Sequence, residues 1–123
     1  MYDHIGLRVK DLSASVRFYE AALEPLGHEL GYRSDAMVGF GSAGATGLWL
    51  SHAPDAGERG VHLAFGASDR AAVERFYKKG LAVGGRDNGA PGLRADYGPS
   101  YFAAFLVDPD GNNVEAVCLA EEE

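Results

Sequence analysis

The feature that most constrains the fold of this chain is an internal repeat. An alignment of the sequence with itself that superposes His4 on His62 also superposes a series of other identical residues. The matched pairs are Asp11 with Asp69, Ala14 with Ala72, Arg17-Phe18-Tyr19 with Arg75-Phe76-Tyr77, and Leu23 with Leu81. Identities that cluster on one offset indicate an internal duplication, so the chain should fold as two copies of one structural unit.

Each copy opens with a strand pattern, at Tyr2–Lys10 and at Val61–Ala67. Apolar residues alternate there with histidine and small or polar residues, so one face of each strand should pack in the core and the other should stay open. A helix is predicted after each strand, with an N-cap at Asp11 or Ser13 in the first copy and at Ser68 or Asp69 in the second. Helix breakers predict the helix ends at Pro25 and Gly27, and at Gly80.

Three shorter strands should complete each copy. They are predicted at 28–33, 36–41 and 46–52 in the first copy, and at 81–87, 101–107 and 113–119 in the second. The segment 53–60 is interpreted as a linker, and 88–100 as a long loop, a kind of segment that is often functional in compact domains. The predicted fold is a single α+β domain over 1–123. It has two βαβββ modules, at about 1–53 and 60–119, that form an open half-barrel cleft.

Composition excludes several classes of function. The formal net charge of −7 disfavours nucleic-acid binding, because an acidic surface repels phosphate. No apolar run approaches the roughly 20 residues of a membrane span, and the charged N-terminus does not resemble a signal peptide, so a cytoplasmic protein without a membrane partner is expected. The single cysteine, Cys118, allows no intramolecular disulfide and is predicted to lie in the core.

Strand parity predicts a metal site in the cleft. His4 and His62 lie opposite in parity to the apolar residues of their strands, and Glu115 lies opposite to Val114 and Ala116. Two imidazoles and one carboxylate suit a divalent transition metal and leave coordination positions open for substrate or water. His28 is instead interpreted as a turn or strand-start residue. His52, at a strand end, is kept as a candidate general base at the cleft rim.

The two ends of the chain resemble a known superfamily. The opening Asp3-His4-Ile5-Gly6-Leu7-Arg8-Val9, with Asp11-Leu12-Ser13 and Phe18-Tyr19 after it, resembles the start of vicinal oxygen chelate proteins. These form the glyoxalase/bleomycin-resistance/extradiol-dioxygenase superfamily. Asp108-Pro109-Asp110-Gly111-Asn112 followed by Glu115 resembles its ending. The resemblance implies paired βαβββ modules, a metal in the cleft and substrates that chelate the metal through neighbouring oxygens.

The resemblance also implies where metal ligands belong. The family positions correspond to His4, a fourth-strand position at Trp49, His62 and Glu115. An indole has no free lone pair for a metal, so glyoxalase I chemistry is not expected unless another residue, such as Glu58, replaces it. The remaining set resembles the triad of extradiol dioxygenases. Phe105 stands where those enzymes carry a tyrosine, with Tyr97 and Tyr101 as the nearest substitutes.

Two functions follow as hypotheses. The first is a metal-dependent lyase, isomerase or ring-cleaving dioxygenase that uses one divalent ion (Fe, Mn, Zn or Ni) on a small substrate. Its acid–base groups would come from Tyr97, Tyr101 and His52, and its substrate contacts from Trp49, Phe40 and Arg8. The second is a bleomycin-resistance-like protein that binds a small molecule without catalysis, between aromatic walls. A homodimer is expected in either case, because open strand edges and apolar cleft walls need cover.

Overall fold

The computed structural model describes residues 2–56 and 60–121. The elements of the first half are β1 (Ile5–Val9), α1 (Leu12–Leu23) with a 3-10 turn (Glu24–Leu26), β2 (Glu29–Arg33), β3 (Met37–Ser42) and β4 (Ala45–His52). Those of the second half are β5 (His62–Gly66), α2 (Arg70–Ala82), β6 (Arg86–Leu93), β7 (Phe102–Val107) and β8 (Asn113–Cys118). The predicted duplication of a βαβββ unit is therefore confirmed.

The two halves have the same sheet topology. One sheet has the strand order β1-β4-β3-β2 and the other β5-β8-β7-β6. In each, the first and last strands of the module run parallel and the other neighbours run antiparallel. Within 2–56 and 60–121 no strand of one sheet pairs with a strand of the other. The modules are instead joined through α1 and α2, which contact each other.

Aspartate caps both helices. Asp11 accepts a hydrogen bond from the backbone N–H of Ala14 at 3.1 Å, and Asp69 accepts one from Ala72 at 2.7 Å. These bonds satisfy backbone donors that have no partner within the helix. Of the two alternatives at each helix start, the repeat-related aspartates are thus the caps, and the serines are not.

Gly80 does not end the second helix as predicted. The helix continues to Ala82, and Gly84, with φ of 103°, makes the turn that follows. Gly80 is instead a point of close packing, because a Cβ there would lie 2.3 Å from Leu106 Cδ1 and 3.3 Å from Phe18 Cε1. The glycine allows α2 to approach both its own sheet and α1.

The predicted strand at 81–87 and loop at 88–100 are also wrong. Residues 86–93 form β6, and only 94–101 connect it to β7. Glycine and proline in 89–92 suggested a loop, but β6 is an edge strand, where such residues are tolerated. The pairing of β6 with β7 shifts register on both sides of Gly89, so the glycines occupy bulges in an otherwise continuous strand.

The turn after β7 fastens the second module to the first. The buried carboxylate of Asp108 accepts hydrogen bonds from the Tyr19 hydroxyl, from the backbone N–H of Asp110 and Asn112, and from the Asn112 side chain. Asp110 in turn accepts from the backbone N–H of Lys10 at 3.0 Å. Cys118 is buried in the core, as predicted. No helix in the described part of the chain is both long and apolar enough to cross a membrane.

Candidate functional site

Neighbouring parallel strands bring His62 and Glu115 together. His62 on β5 pairs in register with Asn113 on β8, and Ala64 pairs with Glu115. His62, Ala64, Asn113 and Glu115 therefore point to one face of the second sheet, the face away from α2. Nε2 of His62 lies 2.8 Å from Oε1 of Glu115. The His62 side chain is 51 % exposed and the Glu115 side chain only 3 %. The pair thus combines a buried carboxylate with a solvent-accessible imidazole.

Tyr101 covers the second oxygen of the carboxylate. Its hydroxyl donates a hydrogen bond to Oε2 of Glu115, and this bond raises the pKa of Tyr101 to about 12. Tyr97 packs against Tyr101, with ring centroids 5.3 Å apart, and is itself 69 % exposed. Of the two predicted tyrosines, Tyr101 therefore contacts the pair, while Tyr97 lies at the rim.

Two asparagines extend this hydrogen-bond chain. Nδ2 of Asn113 lies 3.2 Å from Nδ1 of His62, and Asn88 donates to Oδ1 of Asn113 at 3.2 Å. An amide nitrogen can only donate, so Nδ1 of His62 accepts and Nε2 carries the proton toward Glu115. Parity along β8 already placed Asn113 on the face of Glu115. Asn88 was not recognised in the sequence, because its strand was interpreted as a loop.

Phe105 forms the floor beside the pair. It is the register partner of Glu115 on β7, and its ring meets the His62 imidazole edge-on, with centroids 6.3 Å apart. The guanidinium carbon of Arg94 lies 5.4 Å from the centroid of the same ring. Arg94 lies just after β6, inside the predicted loop 88–100, and no pattern in the sequence singled it out.

His4 does not join the pair within one chain. It lies just before β1, and its Nδ1 atom is 2.7 Å from Oδ1 of Asp3. In the described ranges 2–56 and 60–121, no group of three His, Cys, Asp or Glu side chains converges as metal ligands would. The described residues of one chain therefore do not bring the predicted triad together. The reason is architectural, since His4 belongs to a sheet that shares no strand pairing with the sheet of His62 and Glu115.

The pair itself fits a divalent transition metal. Nε2 of His62 and Oε1 of Glu115 lie 2.8 Å apart, so both residues could contribute a ligand to one divalent ion. The second carboxylate oxygen already accepts a hydrogen bond from Tyr101, as a ligating carboxylate usually does from an outer residue. The Asn113 amide would have to turn its oxygen toward Nδ1 of His62. Two donors are fewer than the three of a catalytic site, so a further ligand has to come from elsewhere.

Trp49 faces the open side of the first sheet, not the core. A Cβ on Gly39 of the neighbouring strand would lie 2.8 Å from the indole, so the ring lies directly over this glycine. Tyr32 packs beside it, with centroids 5.6 Å apart. The alternative in which Trp49 is a core residue is therefore wrong. Its proposed replacement ligand, Glu58, lies outside the described residues.

Three other candidates lie away from the pair. Phe40 is 1 % exposed and packs near Tyr19, with ring centroids 6.5 Å apart, away from His62 and Glu115. It shares the helix-facing side of β3 with Val38, the other buried side chain of that strand. Arg8 is exposed and lies 3.4 Å from Asp55. His52 ends β4 beside Val9, at the opposite end of the β1–β4 pair from His4, and lines a separate polar depression of about 470 Å³.

Known proteins share this architecture. The family model of the Glyoxalase/Bleomycin resistance protein/Dioxygenase superfamily matches residues 2–116. A crystal structure of a glyoxalase/bleomycin resistance protein from Albidiferax ferrireducens T118 is 27 % identical, covers 96 % of this chain and 98 % of its own, and has a TM-score of 0.78. A putative glyoxalase from Bacillus halodurans is 26 % identical, with coverages of 96 % and 95 % and a TM-score of 0.74.

A more distant structure was solved with a ligand. It is a bleomycin-binding protein complexed with bleomycin, 22 % identical to this chain, with coverages of 92 % and 93 % and a TM-score of 0.62. At this identity the likeness concerns the fold alone. Among curated proteins, none has a sequence that matches this chain.

Proposed function

Because the chain belongs to the glyoxalase/bleomycin resistance/dioxygenase superfamily, we propose that it is a divalent-metal-dependent enzyme. Its substrate is a small molecule that chelates the metal through neighbouring oxygens. The observation that carries the proposal is the approach of His62 Nε2 to the buried carboxylate of Glu115 at 2.8 Å. Keeping a carboxylate almost fully buried is costly unless it has partners. A metal ion would be a strong partner for the carboxylate. Because the imidazole is half exposed, a substrate could reach an ion bound to it.

The third ligand in this proposal is His4 from a second copy of the chain. His4 does not reach the His62–Glu115 pair of its own chain, and its side chain is 61 % exposed, which leaves it accessible to another molecule. Two-fold pairing is the commonest symmetry of soluble oligomers, and it would form two identical sites, each with residues from both chains. The proposed assembly is therefore a homodimer with shared sites.

When bound, the ion would polarise the substrate oxygens and stabilise negative charge that develops on them. The residues of this chain have separate tasks. Asn113 orients the His62 ring through Nδ1, and Phe105 offers a flat apolar surface for the substrate. With a pKa of about 12, the Tyr101 hydroxyl keeps its proton at neutral pH. Tyr101 therefore acts as a hydrogen-bond donor that holds Glu115 in place.

Mixing two variants that each lack one proposed metal ligand tests whether the site is shared between two chains. His4→Ala and His62→Ala each remove one ligand, so each homodimer should bind little metal. After the two are unfolded together and refolded, mixed dimers carry one intact site each, and metal binding should recover to about a quarter of the wild-type sites. A site formed within a single chain would recover nothing. Light scattering that reports only monomers at micromolar concentration would also contradict the shared site.

A second function is favoured by a specific observation on the other sheet. Half-buried Trp49 and exposed Tyr32 form an aromatic surface above Gly39, which suits the stacking of a planar ligand. A protein that sequesters a small molecule without catalysis would use such a surface, and a bleomycin-binding protein shares the fold. Metal content separates the two functions. The enzyme needs a bound ion in wild type, whereas the binding protein should hold its ligand equally well after metal removal.

A further inference from the structure

Arg94 carries a positive charge on the open face of the second sheet. Its guanidinium lies over the Phe105 ring, at 5.4 Å from the centroid, and the His62 imidazole meets the same ring. Arg94 and the proposed metal ligand therefore border one apolar floor. Among residues 2–56 and 60–121 no carboxylate lies within ion-pair distance of Arg94.

The chain holds the Arg94 side chain in place. One guanidinium nitrogen donates to the backbone carbonyl of Ala90 at 2.7 Å. A Cβ on Gly89 or on Gly92 would lie 3.2 or 3.1 Å from the guanidinium, so these two glycines leave the room that it occupies. The backbone N–H of Arg94 donates to the carbonyl of Tyr101 at 2.8 Å, which ties Arg94 to the residue that covers Glu115.

An arginine in this position has donors to offer a negative partner. The chain is acidic, with a formal net charge of −7, and nevertheless leaves this half-buried cation without an acidic side chain among the residues that the structure describes. A guanidinium has five N–H donors in a fixed plane, and the Ala90 carbonyl uses one of them. The others match a carboxylate, which can accept two parallel hydrogen bonds.

We propose that Arg94 binds a carboxylate of the substrate. The substrate class is then a small planar anion, with two neighbouring oxygens at the metal and a carboxylate at Arg94, separated by a spacer that lies on Phe105. A dihydroxybenzoate has this chemistry. The two oxygens at the metal rest on the proposed function. The anion site at Arg94 does not, because Arg94 is not a metal ligand.

The test compares 3,4-dihydroxybenzoate with its uncharged methyl ester. Calorimetry gives Kd for both in wild type, Arg94→Gln and Arg75→Gln, each in metal-depleted and metal-loaded form. Arg75 is an exposed arginine on α2 and serves as the control. Wild type and Arg75→Gln should prefer the acid by about tenfold or more, with or without metal. Arg94→Gln should lose this preference and bind the two compounds about equally.

The outcomes separate the two proposals. If metal loading strengthens neither compound but the preference for the acid still depends on Arg94, the metal chemistry fails and the anion site stands. If the acid is preferred equally in Arg94→Gln and wild type, the anion site is overturned, whatever the metal does. Wild type that binds neither compound at millimolar concentration, or binds both equally, overturns it as well. Circular dichroism of Arg94→Gln checks that the variant is folded, and Arg94→Lys, which keeps the charge but loses the planar donors, should retain only part of the preference.

Discussion

The imidazole of His62 and the carboxylate of Glu115 meet across two parallel strands, with Nε2 2.8 Å from Oε1. The contact depends on register. Glu115 pairs with Ala64, two residues along β5 from His62, so the longer glutamate reaches diagonally over a small side chain. Tyr101 and Asn113 then occupy the outer atoms of both groups.

The tautomer of His62 should change when metal binds. In the metal-free protein, Asn113 donates to Nδ1 and the ring proton lies on Nε2. A metal on Nε2 requires the proton on Nδ1, so the Asn113 amide must turn its oxygen toward the ring. The ¹⁵N shifts of labelled histidine should report the Nε2–H form before metal addition and the Nδ1–H form after it. An Nδ1–H form already present in the metal-free protein would contradict this hydrogen-bond chain.

Tyr101 should make stability depend on pH in the alkaline range. Its pKa is raised from about 10 to about 12 in the folded state, chiefly by the hydrogen bond to Glu115. An acid with a raised pKa keeps its proton longer when folded, so this contribution is full below pH 10 and is lost as the pH rises toward 12. Ultraviolet titration should show one fewer high-pKa tyrosine in Tyr101→Phe. In Glu115→Gln, the pKa of Tyr101 should fall back toward its ordinary value. An unchanged titration in both variants would contradict the assignment.

Tyr19 and Tyr77 occupy equivalent places in the repeat and make a matched pair of variants. The Tyr19 hydroxyl donates to buried Asp108, whereas the Tyr77 hydroxyl donates to Asp87 at the surface. Tyr19→Phe removes a donor from a buried carboxylate and should lower the free energy of unfolding by about 1–3 kcal/mol. Tyr77→Phe should cost less than about 0.5 kcal/mol. Chemical denaturation measures both. Equal losses would mean that burial of Asp108 does not decide the cost.

Trp49 should exclude glyoxalase I chemistry. Its indole faces the open side of the first sheet, over Gly39, and has no lone pair to give a metal. We expect negligible isomerisation of the methylglyoxal–glutathione hemithioacetal with either Ni(II) or Zn(II). Robust turnover that is lost in Glu58→Ala would show instead that Glu58 supplies the missing ligand.

Much of the fold could be predicted because the same pattern of a strand followed by a helix occurs twice in the sequence. The repeat and the alternation in β1 and β5 predicted two βαβββ modules, and strand parity placed His62, Asn113 and Glu115 on one face. Parity gives only the side of a sheet to which a residue points. It says nothing of how two sheets are placed, so it grouped His4 with a pair that His4 does not reach within one chain.

Most of the wrong predictions concern the second module, and they have one cause. Glycine was interpreted as a breaker in α2 and in β6, where it instead makes room. Gly80 lets two helices approach, and Gly89 and Gly92 clear space for Arg94. Because local patterns do not record what packs on a glycine, β6 was interpreted as a loop. Asn88 was missed with it, and Arg94, which lies just after β6, was not singled out by any pattern.

Metal content of the purified protein shows whether His62 is a metal ligand. Wild type, His62→Ala and the control His52→Ala are to be dialysed against the same divalent ions and measured by elemental analysis. His52 is an exposed histidine at the far end of β4, so its replacement should leave the metal content unchanged. We expect about one ion per chain in wild type and His52→Ala, and loss of most of it in His62→Ala. Equal metal content in wild type and His62→Ala would rule out His62 as a metal ligand.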